Sequence, residues 1–420
     1  MKVETIQRKL TLHFAAGVIG LSLLTAGSAL AQERVVKISG FGALSGVLRP
    51  FGVNSEAAMR AAADQINQSG GVKLADGTHA KIVIDYFDDR CNPEEGIAVT
   101  RRIAASDALV AIGTTCSSVV EPVYGVLQKK AGDPNDSGLR LPIFTDVAQK
   151  IGLTKISEWA FRNIPDEPAM YDALFTWLKA NHPEAKTIYG GVEENFVHSR
   201  QAWYAVMKEK AKSGGYEVKG EAKWLVDDTN FTEQVRAIKN ANADIVAVSA
   251  HPFTACGVLK EMSRQGVKPK VLIGLTSQTT PELLEVCGPQ AEGIVVPTSY
   301  APINPKAKAA ATATARYKGY ADLHSMAAWE NMFTLKQVME AAGISARADT
   351  VMADREKIRV GLAKLKQMDG LLGASQRTPD RESIKPFVLV QAKHDTWQLI
   401  ATPKQQHAML DAAASSSGTN

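Results

Sequence analysis

From residue 35 onward the sequence alternates short apolar segments with longer ones whose apolar residues recur every three to four positions. That order permits few folds. Parallel strands need a crossover of a dozen or more residues, a helix supplies it, and helices then cover both faces of the sheet. Val35 to Phe41 reads as a buried strand running into the turn Gly40-Phe41-Gly42. Met59, Ala62, Ala63 and Ile66 predict a helix from about Ser55 to Asn67, stopped by Gly70-Gly71. Lys81 to Phe87 alternates as a second strand, and Leu109 to Gly113 supplies a third. Ser118 with Glu121 has capping-box spacing and predicts a helix start there. Four later strands are expected at Lys186–Val192, Asp244–Ser249, Val271–Leu275 and Gly293–Pro297. The expectation is an α/β protein with parallel sheets, and 420 residues suffice for two units at roughly 100–200 residues each. Residues 131–140 read as a surface loop and residues 411–420 as a flexible tail.

The first 31 residues do not belong to that pattern. Lys2, Arg8 and Lys9 precede an uncharged apolar run from Phe14 to Leu24, and small residues end at Ala29-Leu30-Ala31. This is the form of a secretory signal peptide, with cleavage expected after Ala31. No cysteine follows the apolar run to carry a lipid. Removing residues 1–31 takes away three positive charges and one negative, so the formal charge of +4 falls to near +2. Neither value is the basic footprint of a nucleic-acid-binding protein. With 45% apolar and 22% charged residues the chain is an ordinary globular one, bound for an oxidising compartment.

Motifs for catalysis fail in detail. Gly40-Phe41-Gly42-Ala43-Leu44-Ser45-Gly46 lies between a strand and a helix, but a dinucleotide fingerprint needs glycine at 45. The same serine stands one position late for a nucleophile elbow. The eight histidines are scattered singly, without metal-ligand spacing, so neither a metal nor a cofactor is expected. Asp88-Asp89 and Glu193-Glu194 are neighbours on extended chain, point to opposite faces, and so form no acid/base dyad.

The four cysteines carry more information. Cys91 follows the second strand and Cys116 the third. If those parallel strands are adjacent, their carboxyl ends lie at one edge of the sheet and a Cys91–Cys116 bridge is geometrically reachable. Cys256 and Cys287 lie in helices after consecutive later strands, and the sequence leaves open either a second bridge or two buried thiols.

The segments Gly42-Ala43-Leu44-Ser45-Gly46, Phe51-Gly52, Ala61 to Asn67, Gly70-Gly71, Asp88 to Pro93, Cys116-Ser117-Ser118 and Leu141-Pro142-Ile143 come in a telling order. Ala291-Glu292-Gly293, Ala341-Ala342-Gly343 and Asp369 to Gly373 follow. Together, over about Val35 to Ile400, they resemble the periplasmic branched-chain amino-acid-binding proteins, the soluble receptors of ABC importers. The cysteine pair matches a disulfide seen in part of that family. The resemblance implies two Rossmann-like lobes joined by three crossing strands, with ligand held in the cleft between them. Lobe one would be 32–161 plus 298–376, and lobe two 162–297 plus 377–410. It also implies a monomer in the periplasm whose partners are a small-molecule ligand and membrane permease subunits, with no nucleic acid and no catalysis. A periplasmic sensor of the same fold, or an exported α/β enzyme, are the alternative functions.

Mapped by this resemblance, Ser117 and Ser118 at a helix start would hold the ligand carboxylate, and Ala148 and Gln149 would offer further groups to it. Phe51 would wall the cleft, with Phe196 and His251 standing where the family commonly has tyrosine. Thr276 stands where amino-acid binders place a carboxylate against the ligand ammonium, so Asp146, Glu193 or Glu194 would have to replace it. Arg49 is expected in the first ligand loop as a bidentate partner for a carboxylate. Such a pocket suits a carboxylate with an apolar or aromatic body, or a polar neutral ligand, better than leucine.

Overall fold

Two mainly parallel sheets divide the chain in the computed structural model, which describes residues 34–128, 135, 138–146, 148–150 and 152–402. The signal segment, most of the 131–140 loop and the 411–420 tail lie outside the described residues. Strands β1 (Val35–Gly42), β2 (Val72–Lys73), β3 (His79–Asp88), β4 (Val110–Gly113), β5 (Ile143–Thr145) and β6 (Ala160–Arg162) form the first sheet, in the order β2-β3-β1-β4-β5-β6. The second begins with β7 (Thr187–Glu193), β8 (Glu217–Trp224), β9 (Ile245–Ser249), β10 (Val271–Gly274) and β11 (Val295–Thr298). A small antiparallel sheet of β12 (Gln367–Asp369), β13 (Ala374–Arg377) and β14 (Ser383–Ile384) follows. Finally β15 (Val388–Lys393) and β16 (Thr396–Ala401) complete the second sheet as β16-β15-β11-β10-β9-β7-β8.

Burial explains the sequence patterns. β1 lies between β3 and β4 and its inner residues are buried on both faces, so it reads as an apolar run. β3 lies next to the edge and buries only Ala80, Ile82 and Ile84 along its first six residues, so it alternates. In β9, Ile245 and Ala247 pack into one core cluster while Val246 and Val248 pack into the cluster on the opposite face.

Around the first sheet lie α1 (Arg49–Gln68), α2 (Pro93–Ala104) and α3 (Ser117–Leu127). The second carries α4 (Glu167–Asn181), α5 (Val197–Gln201), a π-helical turn at Ala202–Met207, α6 (Lys208–Ser213), α7 (Thr232–Ala241), α8 (Pro252–Arg264) and α9 (Pro281–Cys287). The chain then returns through α10 (Pro305–Ala315), α11 (Leu323–Ala342) and α12 (Val351–Lys364), where Met326, Trp329 and Met332 join Met59, Ala62 and Ile66 of α1 in one core. It leaves the first sheet for the second at residues 163–166, leaves the second at 299–304, and re-enters it from the small sheet at 385–387. Glu330 and Lys385 form a buried ion pair beside the third passage, and Glu330 also accepts from Asn163 Nδ2 at 3.1 Å and the Leu371 N–H at 2.6 Å.

Two expectations change, and one open choice is decided. α1 begins at Arg49, not Ser55, because Pro50 fits the first helical turn, where its missing N–H has no partner to lose. The helix predicted to start at a Ser118–Glu121 capping box starts instead at Ser117, behind Cys116, with no side-chain cap. There the N–H groups of Val119 and Val120 bond the Cys116 carbonyl, and Glu121 pairs with Lys150. Cys256 and Cys287 are free, buried thiols where α8 and α9 pack, so of the two readings open for them the thiols hold.

Candidate ligand-binding site

The carboxyl ends of β1 and β4 face those of β7, β9 and β10, and the loops that leave them close around a small chamber. From the first-sheet side it is lined by Leu48, Phe51, Thr115, Cys116, Ser117 and His324. From the second come Phe196, His198, His251 and Ser277. The chamber has room for about 10 Å³. Through Leu48, Phe51 and His251 it adjoins a mainly apolar opening of about 140 Å³, walled by Val47, Pro50, Phe253 and Val286 together with Thr280 and Glu282, one oxygen of Glu282 being buried without a partner.

Two glycines set its floor. A Cβ on Gly52 would lie 2.1 Å from the Ala43 carbonyl oxygen, so only glycine lets α1 dock against the loop after β1 and hold Phe51 in place. Gly113, with φ +128°, ends β4 where a Cβ would lie 2.0 Å from the Phe41 carbonyl oxygen. Beside it, Cys91 and Cys116 are bridged with Cα atoms 5.6 Å apart. The premise of adjacent strands needs correcting, since β3 and β4 flank β1. The bridge forms because the chain turns back after β3, with Arg90 and Cys91 at φ +53° and +54°, and reaches across the end of β1. Asp88 holds that turn by accepting from the Leu44 and Arg90 N–H groups, each at 2.8 Å, and Asp89 accepts from the Thr114 hydroxyl.

Rings wall the chamber. The His251 centroid lies 4.2 Å from that of Phe196 and 6.0 Å from that of Phe51, and His324 lies 4.7 Å from Phe51, all edge to face. Behind them are two buried carboxylates, each bonded by a histidine and a threonine. Glu193 meets His251 Nδ1 at 2.5 Å through one oxygen and the Thr254 hydroxyl at 2.5 Å through the other. Burial pushes its carboxyl up, but the attraction and hydrogen bond of His251 outweigh that and hold it below the usual glutamate range. Glu167 Oε1 meets His198 Nε2 at 2.8 Å and accepts from the Thr276 hydroxyl at 2.9 Å. His324 is different: it is 1% exposed and neither ring nitrogen has a hydrogen-bond partner in the chain. Burial, reinforced by His198 and His251, pushes its pKa well below the usual histidine value.

The structure brings together Phe51, Ser117, Phe196 and His251 of the residues named from sequence. It places others elsewhere. Arg49 is exposed on the first turn of α1, outside the lining, because the early helix start turns it to solvent. Ser118 is half-buried one residue past the lining. Ala148 is buried and its carbonyl is taken by Arg162 Nη1 at 3.1 Å. Gln149 is buried away from the chamber, its amide unpartnered. Thr276 serves Glu167 behind the wall. Asp146, fully buried, accepts from the Ser55 hydroxyl at 2.7 Å and is pushed up to about 7 by burial. Glu194 faces outward to Arg200 at 3.3 Å and the Tyr204 hydroxyl at 3.1 Å. Leu48, Thr115, His198, Ser277 and His324 were missed: single residues without a local motif gave no signal.

Two lobes of parallel sheet with an enclosed chamber at their strand ends define a two-lobed solute-binding protein. The chain belongs to the periplasmic binding protein family, whose model matches residues 35–396. It is 23% identical over 285 residues to the Leu/Ile/Val/Thr-binding protein of Salmonella typhimurium, covering 67% of this chain and 71% of that one. Its fold is that of the leucine-binding protein of Thermotoga maritima, at TM-score 0.75 and 18% identity, covering 89% of this chain and 100% of that one. A solute-binding protein of an R. palustris ABC transporter, in complex with benzoate, superposes at TM-score 0.73 and 17% identity, covering 88% and 96%. The family consists of solute-binding receptors of ABC transporters, not enzymes. Among the described residues no helix is long and apolar enough to cross a membrane.

Proposed function

We propose that this chain, exported and cleaved after Ala31, is the monomeric periplasmic receptor of an ABC importer for carboxylates that lack an ammonium group and carry an aromatic or apolar body. The observation that carries this reading is the state of Glu167 and Glu193. Histidine and threonine partners already bond these carboxylates behind the wall, and the chamber's own lining holds no acidic side chain, so an ammonium group there would meet no free counter-charge. The carboxylate would be held at Ser117, the first residue of α3, which lines the chamber. Phe51, shared by the chamber and the adjoining opening of about 140 Å³, supplies a wall for a ring or alkyl body that extends into that opening. The benzoate complex of the R. palustris protein supports the same ligand class on this fold. Capture closes lobe 32–161 plus 298–376 onto lobe 162–297 plus 377–410, and the closed form is what the permease reads.

The test is a thermal-shift panel on mature protein unfolded and refolded to strip bound solute. Aromatic and aliphatic acids should raise the melting temperature, since a ligand at 100 Kd adds about 2.7 kcal/mol. A larger shift with leucine or valine than with any ammonium-free acid would refute the proposal.

A further inference from the structure

We propose that His324 and Ser277 form a seat for a hydroxyl group of the ligand, so that hydroxylated carboxylic acids are this receptor's preferred solutes. This rests on the carboxylate reading above and adds a second polar anchor to it. Three histidines reach the chamber. His198 and His251 are each committed to a buried glutamate. His324 is not. It is buried, both ring nitrogens lack a partner within the chain, and the same is true of the Ser277 hydroxyl, 2% exposed on the opposite wall.

Buried polar atoms without partners are few in folded proteins, and those converging on one chamber mark where a ligand's polar group belongs. Their chemistry says which group. Burial and the neighbouring His198 and His251 keep His324 uncharged, so its ring offers one N–H donor and one bare nitrogen acceptor. Serine likewise donates and accepts. A hydroxyl does both and can satisfy either partner, whereas a carboxylate only accepts and an ammonium only donates.

The two side chains are held in place rather than left to adapt. His324 is in the first turn of α11, where its N–H and that of Ser325 bond Asp322 Oδ1 at 2.8 and 2.7 Å, and its ring packs edge-on against Phe51. Ser277 lies in a 3₁₀ turn, Thr276–Gln278, tied down by Gln278 Nε2 to the Val248 and Ala250 carbonyls at 2.9 and 2.7 Å. One residue comes from each lobe, so a hydroxyl between them bridges the lobes and favours the closed form over the open one.

The experiment is calorimetric titration of ligand-stripped wild type with acids that differ by one hydroxyl: benzoate against 3- and 4-hydroxybenzoate, and phenylacetate against mandelate. At least one hydroxylated member should bind about tenfold or more tightly than its parent, because the parent leaves the seat unsatisfied. In His324→Phe that preference, read as the ratio of hydroxylated to parent affinity within the variant, should vanish, and His324→Asn should retain part of it. Equal affinity within every pair in the wild type would overturn the seat and leave the carboxylate reading standing, and this comparison needs no variant. A hydroxyl preference that survives in His324→Phe would overturn it too. Binding of leucine with no response to any acid would overturn both readings at once.

Discussion

Removing the Cys91–Cys116 bridge, as Cys91→Ala with Cys116→Ala, should destabilise the protein by an amount its geometry sets. The cysteines are 25 residues apart, and closing a loop of that size removes about 3.5 kcal/mol of unfolded-chain entropy at 25 °C. At about 2.1 cal/mol/K per residue, the described span 35–402 unfolds with an entropy near 0.8 kcal/mol/K, so the melting temperature should fall by about 4–5 °C. The loop after β3 would keep Asp88 on the Leu44 and Arg90 N–H groups and Asp89 on Thr114, so the fold should survive. Cys116, however, is the residue from which α3 starts, and Ser117 follows it into the chamber. The double variant should therefore also bind its carboxylate ligand more weakly. Scanning calorimetry of both proteins, with and without ligand, reads the two effects. A shift below about 1 °C with unchanged affinity would mean that hydrogen bonds alone hold the loop and that the entropy argument fails here.

Two further perturbations follow from buried charge. Burial lifts the Asp146 carboxyl to about 7 against an ordinary value near 4, so the folded state binds its proton more tightly than the unfolded chain. That contribution is complete below about pH 4 and is lost as pH rises through about 7. Asp146→Asn should gain in melting temperature on wild type between pH 5 and pH 8, and parallel curves would show that Asp146 ionises at no cost. Lys385→Met leaves Glu330, 4% exposed, without its cation at the third passage between the sheets, which should cost about 3–5 kcal/mol in urea unfolding. A loss under about 1 kcal/mol would mean that water reaches the pair.

Much of the fold was legible because each strand's pattern is set locally by how many of its faces are covered. β1 reads as an apolar run and β3 as an alternating one for that reason, and the bounds expected for both lie close to those observed. Errors fell where a local signal competed with a tertiary one. Ser118 and Glu121 have the spacing of a cap, yet Cys116, pinned by its bridge, sets the start of α3. The bridge itself was expected from strands assumed adjacent, and it is found across β1 instead.

The chamber divides in the same way. Phe51, Ser117, Phe196 and His251 were identifiable through the family resemblance, and they lie on loops at strand ends, which converge in an open α/β sheet. Residue order alone determined the alternation of strand and helix, the parallel sheets it requires, and the strand-end edge at which a ligand would meet them. What Glu193 and Glu167 do there was decided by partners 58 and 109 residues away, His251 and Thr276, and His324 enters beside Phe51 from a helix far along the chain. Periodicity carries information over a few residues and a hydrogen bond forms over about 3 Å of space, so only the folded chain could decide which carboxylates are spent and which histidine is left for the ligand.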